Sequence, residues 1–127
     1  MSDEFVPGDQ AAFFRACLES LKDPFLACGL DDRILWMNAA AAAHYASRGG
    51  LSLLGKSLLD CHNGESCRQI GEIKGRFAAE PGLDEVLITE KPGRLIWMRA
   101  LRGPDGALMG YYERYAIIAP PRQTSPS

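Results

Sequence analysis

"LKDPFLACGLDDRILWMNAAAAAHY", Leu21 to Tyr45, changes its period twice, and those changes decide the fold. Pro24 cannot extend a helix arriving from upstream, because it lacks an amide hydrogen and its ring clashes with the preceding turn. "FLACG" and "RILWM" are short apolar runs around the turn residues "LDD", the pattern of two strands joined by a tight hairpin. Asn38 closes the second run and heads an alanine-rich helix. An Asn oxygen can accept an orphan amide hydrogen bond from the first helical turn, so Asn38 reads as its N-cap. "SRGG" (47–50) ends that helix, since glycine tolerates the left-handed cap conformation.

Upstream, in "QAAFFRACLESLK" (10–22), Phe14, Cys17, Leu18 and Leu21 follow the i, i+3, i+4, i+7 rule of an amphipathic helix. Downstream, "LSLLGKSLLDCHN" (51–63) is short, apolar and interrupted, fitting one or two helical turns. From Glu65 to Ala79, Cys67, Ile70, Ile73 and Phe77 recur at helical spacing, while Glu65, Arg68, Glu72 and Arg76 are left for solvent. "EPG" stops that helix. The rest is strand-like: "DEVLITE", "RLIWMRAL" and "ALMGYYERYAII", separated by the turn signals "KPG" and "RGPDG". The predicted fold is therefore α+β: a five-stranded antiparallel sheet flanked by short helices, with an N-terminal amphipathic helix packed outside. Residues 10–118 form the domain. Residues 1–9 read as a flexible start, and 119–127, "APPRQTSPS" beyond Ile118, as a disordered tail with no apolar periodicity.

The bulk properties agree with one core. At 127 residues, 46% apolar and 24% charged, the chain fits a single soluble globular domain. A net charge of −2 gives no basic footprint for nucleic acid. No apolar run approaches the roughly 18 residues needed to cross a bilayer. The acidic start "MSDEFVPGDQ" lacks the basic and apolar regions of a secretory signal. The expectation is a cytoplasmic protein whose four cysteines, Cys17, Cys28, Cys61 and Cys67, are thiols.

In this order, these residues resemble a PAS domain. The opening stretch has the family's Asp-Pro before the first strand, its acidic turn, its apolar second strand and its Asn heading an Ala-rich helix. "LLGKSLLDCH" resembles the middle Gly-Lys/Arg-Ser segment, and "RALRGPDGALMGYYE" the closing hairpin with an Asp-Gly turn. The likeness runs from about Phe13 to Ile118. Within the family, "LLGKSLLDCHNGESCRQIGEIKGRF" is most similar to the branch often fused to hemerythrin-like domains. A similar His is an axial haem ligand in carbon-monoxide-sensing PAS regulators, so the resemblance implies a possible haem on His62. The second Cys or Met ligand of those regulators has no counterpart in "AEPGLDEVLIT".

"DCHNGESC" (60–67) therefore carries several readings. Structural zinc needs four converging ligands, and only Cys61, His62 and Cys67 are offered. Covalent haem needs C-x-x-C-H, which is absent. A cysteine nucleophile needs a base and an orienting group, and no spacing supplies them. Two readings stay open: haem through His62, or helix capping by His62 and Asn63, with Ser66 and Gln69 at capping-box spacing and Cys67 buried.

Alternation along "MGYYERY" puts Tyr111, Glu113 and Tyr115 on one face, and Tyr112 and Arg114 on the other. Glu113 could meet a polar ligand group or pair with Arg99 across strands. Trp36 and Trp97 go to the face opposite their neighbours Met37 and Met98, either as packing or as cavity wall. No flavin-photochemistry cysteine motif, P-loop or base–nucleophile pair is visible. The resemblance implies a sensor without turnover. Its small ligand would lie between the sheet and the helices of 38–48 and 54–79, lined by Trp36, Asn38, His44, Tyr45, Leu58, His62, Ile70, Ile73, Phe77, Trp97, Tyr111 and Glu113. Its output would go to a downstream signalling partner, and the N-terminal helix offers an apolar stripe for a homodimer. A ligand-free interaction module is the alternative.

Overall fold

The structure, a computed structural model, describes residues 9–61 and 64–117. The expectations for 1–8, His62, Asn63 and the segment from 118 onward lie outside the described residues. The N-terminal helix α1 (Gln10–Glu19) begins where Asp9 Oδ1 accepts the Ala12 amide at 3.1 Å. It stops two residues short of Leu21, the last of the apolar pattern, because Ser20 Oγ turns back to donate to the Cys17 carbonyl at 2.6 Å and Pro24 follows.

The predicted hairpin is β1 (Phe25–Gly29) and β2 (Ile34–Met37). Its turn holds Asp32 at φ 67°, a left-handed conformation that Asp tolerates better than most side chains. Asn38 then caps α2 (Ala39–His44). This helix is shorter than expected. The chain leaves α-geometry at Tyr45, whose side chain turns into the core, and Gly49 at φ 122° redirects it through two 3₁₀ turns, Ala46–Arg48 and Gly50–Leu53. A third turn (Leu58–Cys61) leads to α3 (Gly64–Ala79). Because α3 already begins at Gly64, Ser66 and Gln69 lie inside the helix rather than at its N-cap and third position.

Three long strands complete the chain: β3 (Glu85–Lys91), β4 (Arg94–Arg102) and β5 (Leu108–Ile117). The sheet order is β2-β1-β5-β4-β3 with every pair antiparallel, the predicted five-stranded sheet. The last strand lies in the middle. It enters between β1 and β4 because Gly110 faces Gly29, where a side chain would run into the Cys28 carbonyl.

Register decides which residues meet the helices. Val86, Met98, Glu113, Leu26 and Met37 form one row across all five strands, on the face covered by α3 and α2. Cys28, Tyr111 and Ala100 form the next such row. Against them pack Ala41, Leu58, Ile70, Ile73 and Phe77, giving one contiguous core. Each large side chain withdrawn from water here stabilises the fold by about 1.5–3 kcal/mol. Arg102 fastens the end of α3 to this sheet, donating to the Phe77 carbonyl at 3.0 Å and the Leu83 carbonyl at 2.8 Å while pairing with Asp84 at 3.3 Å. A cation on the last carbonyls of a helix satisfies orphan acceptors and opposes the negative end of its dipole.

Candidate functional site

The residues expected to surround a ligand divide into three groups. Tyr45, Leu58, Ile70, Ile73, Phe77, Tyr111 and Glu113 are all buried on the helix-covered side. Trp36 and Trp97 are not among them. Trp36 pairs with Ala27 and Trp97 with Arg114, one position out of step with the buried rows, so both lie on the opposite face of the sheet. There the Arg114 guanidinium sits 4.1 Å from the Trp97 ring, and Phe25 packs against Tyr112 and Trp36. These two tryptophans make packing and surface, as a cation–π and aromatic layer. Arg99 is on that outer face too, beside Glu85 at 3.8 Å, so the alternative pairing of Glu113 with Arg99 is excluded by strand alternation.

Asn38 is fully buried, but its amide is occupied by backbone. Its Oδ1 accepts from Ala41 at 2.8 Å and Phe25 at 3.0 Å, and its Nδ2 donates to the carbonyls of Asp23, Leu18 and Leu21 at 3.0–3.4 Å. With Ala39 N donating to Glu19 Oε1 at 2.8 Å, it ties α1 to the β1 and α2 starts. That is an anchoring role. His62, the residue expected to hold a haem, lies outside the described residues. Cys67 is half-buried, and its thiol donates to the Leu59 carbonyl at 3.3 Å. Cys17 is exposed and Cys28 is buried in the core.

What the fold does bring together is a buried polar chain on the inner face of β5. Glu113 is 1% exposed. Burial pushes its carboxyl up to about 7, against a smaller downward pull from a hydrogen bond donated by Tyr115. The Tyr115 hydroxyl in turn bonds the Tyr45 hydroxyl, linking β5 to the end of α2. Burial, then the Glu113 charge, holds the Tyr115 phenol far above its ordinary range. The His44 ring covers this pair, 4.9 Å from Tyr45 and 4.8 Å from Tyr115. Partial burial, with Arg94 nearby, lowers the His44 pKa. Among the described residues, Glu113 Oε1 has no hydrogen-bond partner, and neither has the buried Arg94 Nε.

A second buried network lies one row away. Tyr111 donates to Asp32 Oδ1, and Lys74 reaches Asp32 Oδ2 at 3.0 Å. Between α3 and β3 a groove of about 220 Å³ opens, lined by Ile73, Val86, Leu87, Ile88 and the polar residues Arg68, Gln69, Glu72 and Arg76 of α3. Val86, at its wall, belongs to the same cross-sheet row as Glu113, with Met98 between them.

Of the residues in and around this buried polar chain, sequence reasoning singled out Glu113, Tyr45 and His44 but not Tyr115 or Arg94. The signal for Tyr115 was its alternation with Glu113. Arg94, first after a turn, carried none. Among the described residues, no three His, Cys, Asp or Glu side chains are grouped to hold a metal ion, and no helix is long and apolar enough to cross a membrane.

The chain matches the family described as PAS fold over residues 18–119. No curated protein matches it in a sequence search. Among solved structures it is similar to the C-terminal domain of a Streptococcus mutans protein, at TM-score 0.67 and 18% identity, covering 94% of this chain and 90% of that one. It is also similar to the PAS domain of BvgS from Bordetella pertussis (TM-score 0.62, 20% identity, 87% and 88% covered). The PAS domain of a Colwellia psychrerythraea protein is a third (TM-score 0.62, 14% identity, 87% and 98% covered). At such identities the likeness establishes the fold. The match is to the PAS family at large; the finer likeness to the hemerythrin-fused or carbon-monoxide-sensing branches finds no support in these comparisons.

Proposed function

The chain belongs to the PAS fold family, whose members are generally sensory and signalling modules, and on that premise we propose that it binds a small molecule against the inner face of β5 and passes the event on by a conformational change. The observation carrying this reading is Glu113 Oε1, a fully buried carboxyl oxygen on the central strand with no hydrogen-bond partner among the described residues. Buried acceptors are nearly always satisfied, and one left open at the centre of a core is matched by something else. The groove at Val86 supplies a route inward from the α3–β3 edge. The Glu113–Tyr115–Tyr45 chain supplies coupling, because a ligand that takes up Glu113 Oε1 alters the hydrogen bonds holding the end of α2.

The output in this reading is α1 and the turn after it. Phe13 and Phe14 of the helix and Leu21 just beyond it leave 41%, 56% and 44% of their surface exposed, an apolar side suited to a second copy or a downstream signalling protein. A ligand shifts the population of two conformers only by its difference in affinity for them, and Asn38, hydrogen-bonded to both α1 and α2, is the joint that such a shift moves. The reaction class is binding without turnover.

Native mass spectrometry of protein purified from its own host tests the reading. A co-purifying small molecule, lost in Glu113→Leu with the fold retained by circular dichroism, is expected. Bare protein mass, together with a Glu113→Leu variant that is more stable and otherwise identical, overturns it.

A further inference from the structure

Two buried side-chain polar atoms among the described residues lack a hydrogen-bond partner, and they are opposite in kind. Glu113 Oε1 is an acceptor. Arg94 Nε is a donor with a fixed positive charge. They do not answer each other. Glu113 pairs with Met98 and Arg94 with Ile117, so four residues of strand, about 13 Å at 3.3 Å per residue, separate their levels on the sheet. Between those levels stands Tyr115, paired with Ile96 on the same inner face. Arg94 lies on that same inner face at the level of Ile117, and its charge is felt at both His44 and Tyr115.

A ligand that satisfies only one of these atoms leaves the other orphaned. A simple amine answers Glu113 and brings a second cation near Arg94. A simple carboxylate answers Arg94 and lies beside a second carboxyl. Only a molecule carrying both groups leaves neither of these two polar atoms without a partner. Resting on the ligand-binding reading above, we propose that this site takes a small amphoteric molecule of the ω-amino-acid class, whose N–H donor meets Glu113 Oε1 and whose carboxylate meets Arg94, with its aliphatic spacer along Tyr115. Glu113 sets the donor end, Arg94 the acid end, and the distance between them selects spacer length.

The test is a titration of the full chain with glycine, β-alanine, γ-aminobutyrate, aminovalerate and aminohexanoate, with butyrate and butylamine as single-group controls. Binding is read by calorimetry and by amide chemical shifts. The expected result is saturable binding of one or more of the longer members, with both controls about tenfold weaker or worse, a loss of about 1.4 kcal/mol. Glu113→Gln should weaken the amino acid and butylamine while leaving butyrate unchanged. Arg94→Met should weaken the amino acid and butyrate while leaving butylamine unchanged. Controls that bind as well as the amino acids, or amino-acid binding indifferent to both variants, overturn the ligand class and leave the ligand site standing. So does a host-purified protein carrying a molecule that lacks either group. No binding by any compound and no co-purifying mass overturns this class and the binding reading together.

Discussion

The Tyr111 hydroxyl donates to Asp32 Oδ1 at 2.7 Å, joining the middle of the central strand to the tip of the first hairpin across 79 residues of sequence. The other oxygen of that carboxylate holds Lys74 of α3 at 3.0 Å, and Lys74 also donates to the Leu30 carbonyl at 2.9 Å. Three elements remote in sequence thus meet at one side chain, itself 9% exposed and held at φ 67°. The network fixes where α3 lies on the sheet, and so how far the α3–β3 groove opens. It also accounts for the Tyr111 phenol being pushed far above its ordinary pKa, by burial first and then by Cys28 and Asp32.

Removing one hydroxyl here should be costly. Tyr111→Phe leaves the ring in place but deprives a nearly buried carboxylate of its donor, a loss of about 1–3 kcal/mol. Lys74→Met alone should cost less, since that pair is more exposed. Urea melts of both single variants and the double variant should give a coupling energy of at least about 0.5 kcal/mol. Strict additivity would mean that Asp32 does not link the two.

Asn38 makes a sharper demand, because both ends of its amide are used. Asn38→Asp keeps the acceptor for Ala41 and Phe25 but turns Nδ2 into an oxygen facing three carbonyls. The expected loss is about 2 kcal/mol or more, at least equal to that of Asn38→Ala, which gives up the cap without adding repulsion. Hydrogen exchange should report α1 amides deprotected ahead of the sheet. An Asp variant as stable as wild type would show that the Nδ2 bonds hold nothing.

Gly110 has no room for a side chain. A methyl group there meets the Cys28 carbonyl and the Gly29 backbone, neither of which can rotate away. Gly110→Ala should prise β5 from β1 and destabilise the protein by several kcal/mol, on the order of the worst overpacked cores. Gly71→Ala on α3, where nothing lies within 4 Å, is the control; it should stabilise by up to about 1 kcal/mol. Thermal melts of the pair check both signs.

The contrast between legible and hidden parts follows the range of the interactions. Pro24, the Asp31–Asp32 turn and the Asn38 cap act within a few residues, so the hairpin and the helix after it could be read locally. Alternation likewise placed Tyr111, Glu113 and Tyr115 together. It could not say which face the helices cover, and for that reason Trp36 and Trp97 were expected at a cavity they turn away from. The same limit hid the contacts of Asp32 with Tyr111 and Lys74, which exist only once five strands are in register. Arg94 was invisible for the related reason that the groups its charge acts on, His44 and Tyr115, arrive from an earlier helix and a later strand.

The last prediction concerns protons. In the folded protein the Glu113 carboxyl titrates near 7, above its ordinary 4.5, because burial penalises the ionised form. Between those values the folded state binds the proton and the unfolded chain releases it, so stability falls as pH rises from about 4.5 to 7 and then levels off. A rise of that size amounts to roughly 3 kcal/mol lost across the window. His44 works in the opposite direction. Its lowered pKa means the unfolded chain takes up that proton first, which subtracts stability as pH falls below about 6.5. Glu113→Gln should abolish the decline between pH 4.5 and 7 and unmask the His44 slope. Glu113→Gln combined with His44→Gln should be nearly flat there. Chemical denaturation at half-unit pH steps measures all three curves, and a Glu113→Gln curve parallel to wild type would show that the buried carboxyl does not carry the proton.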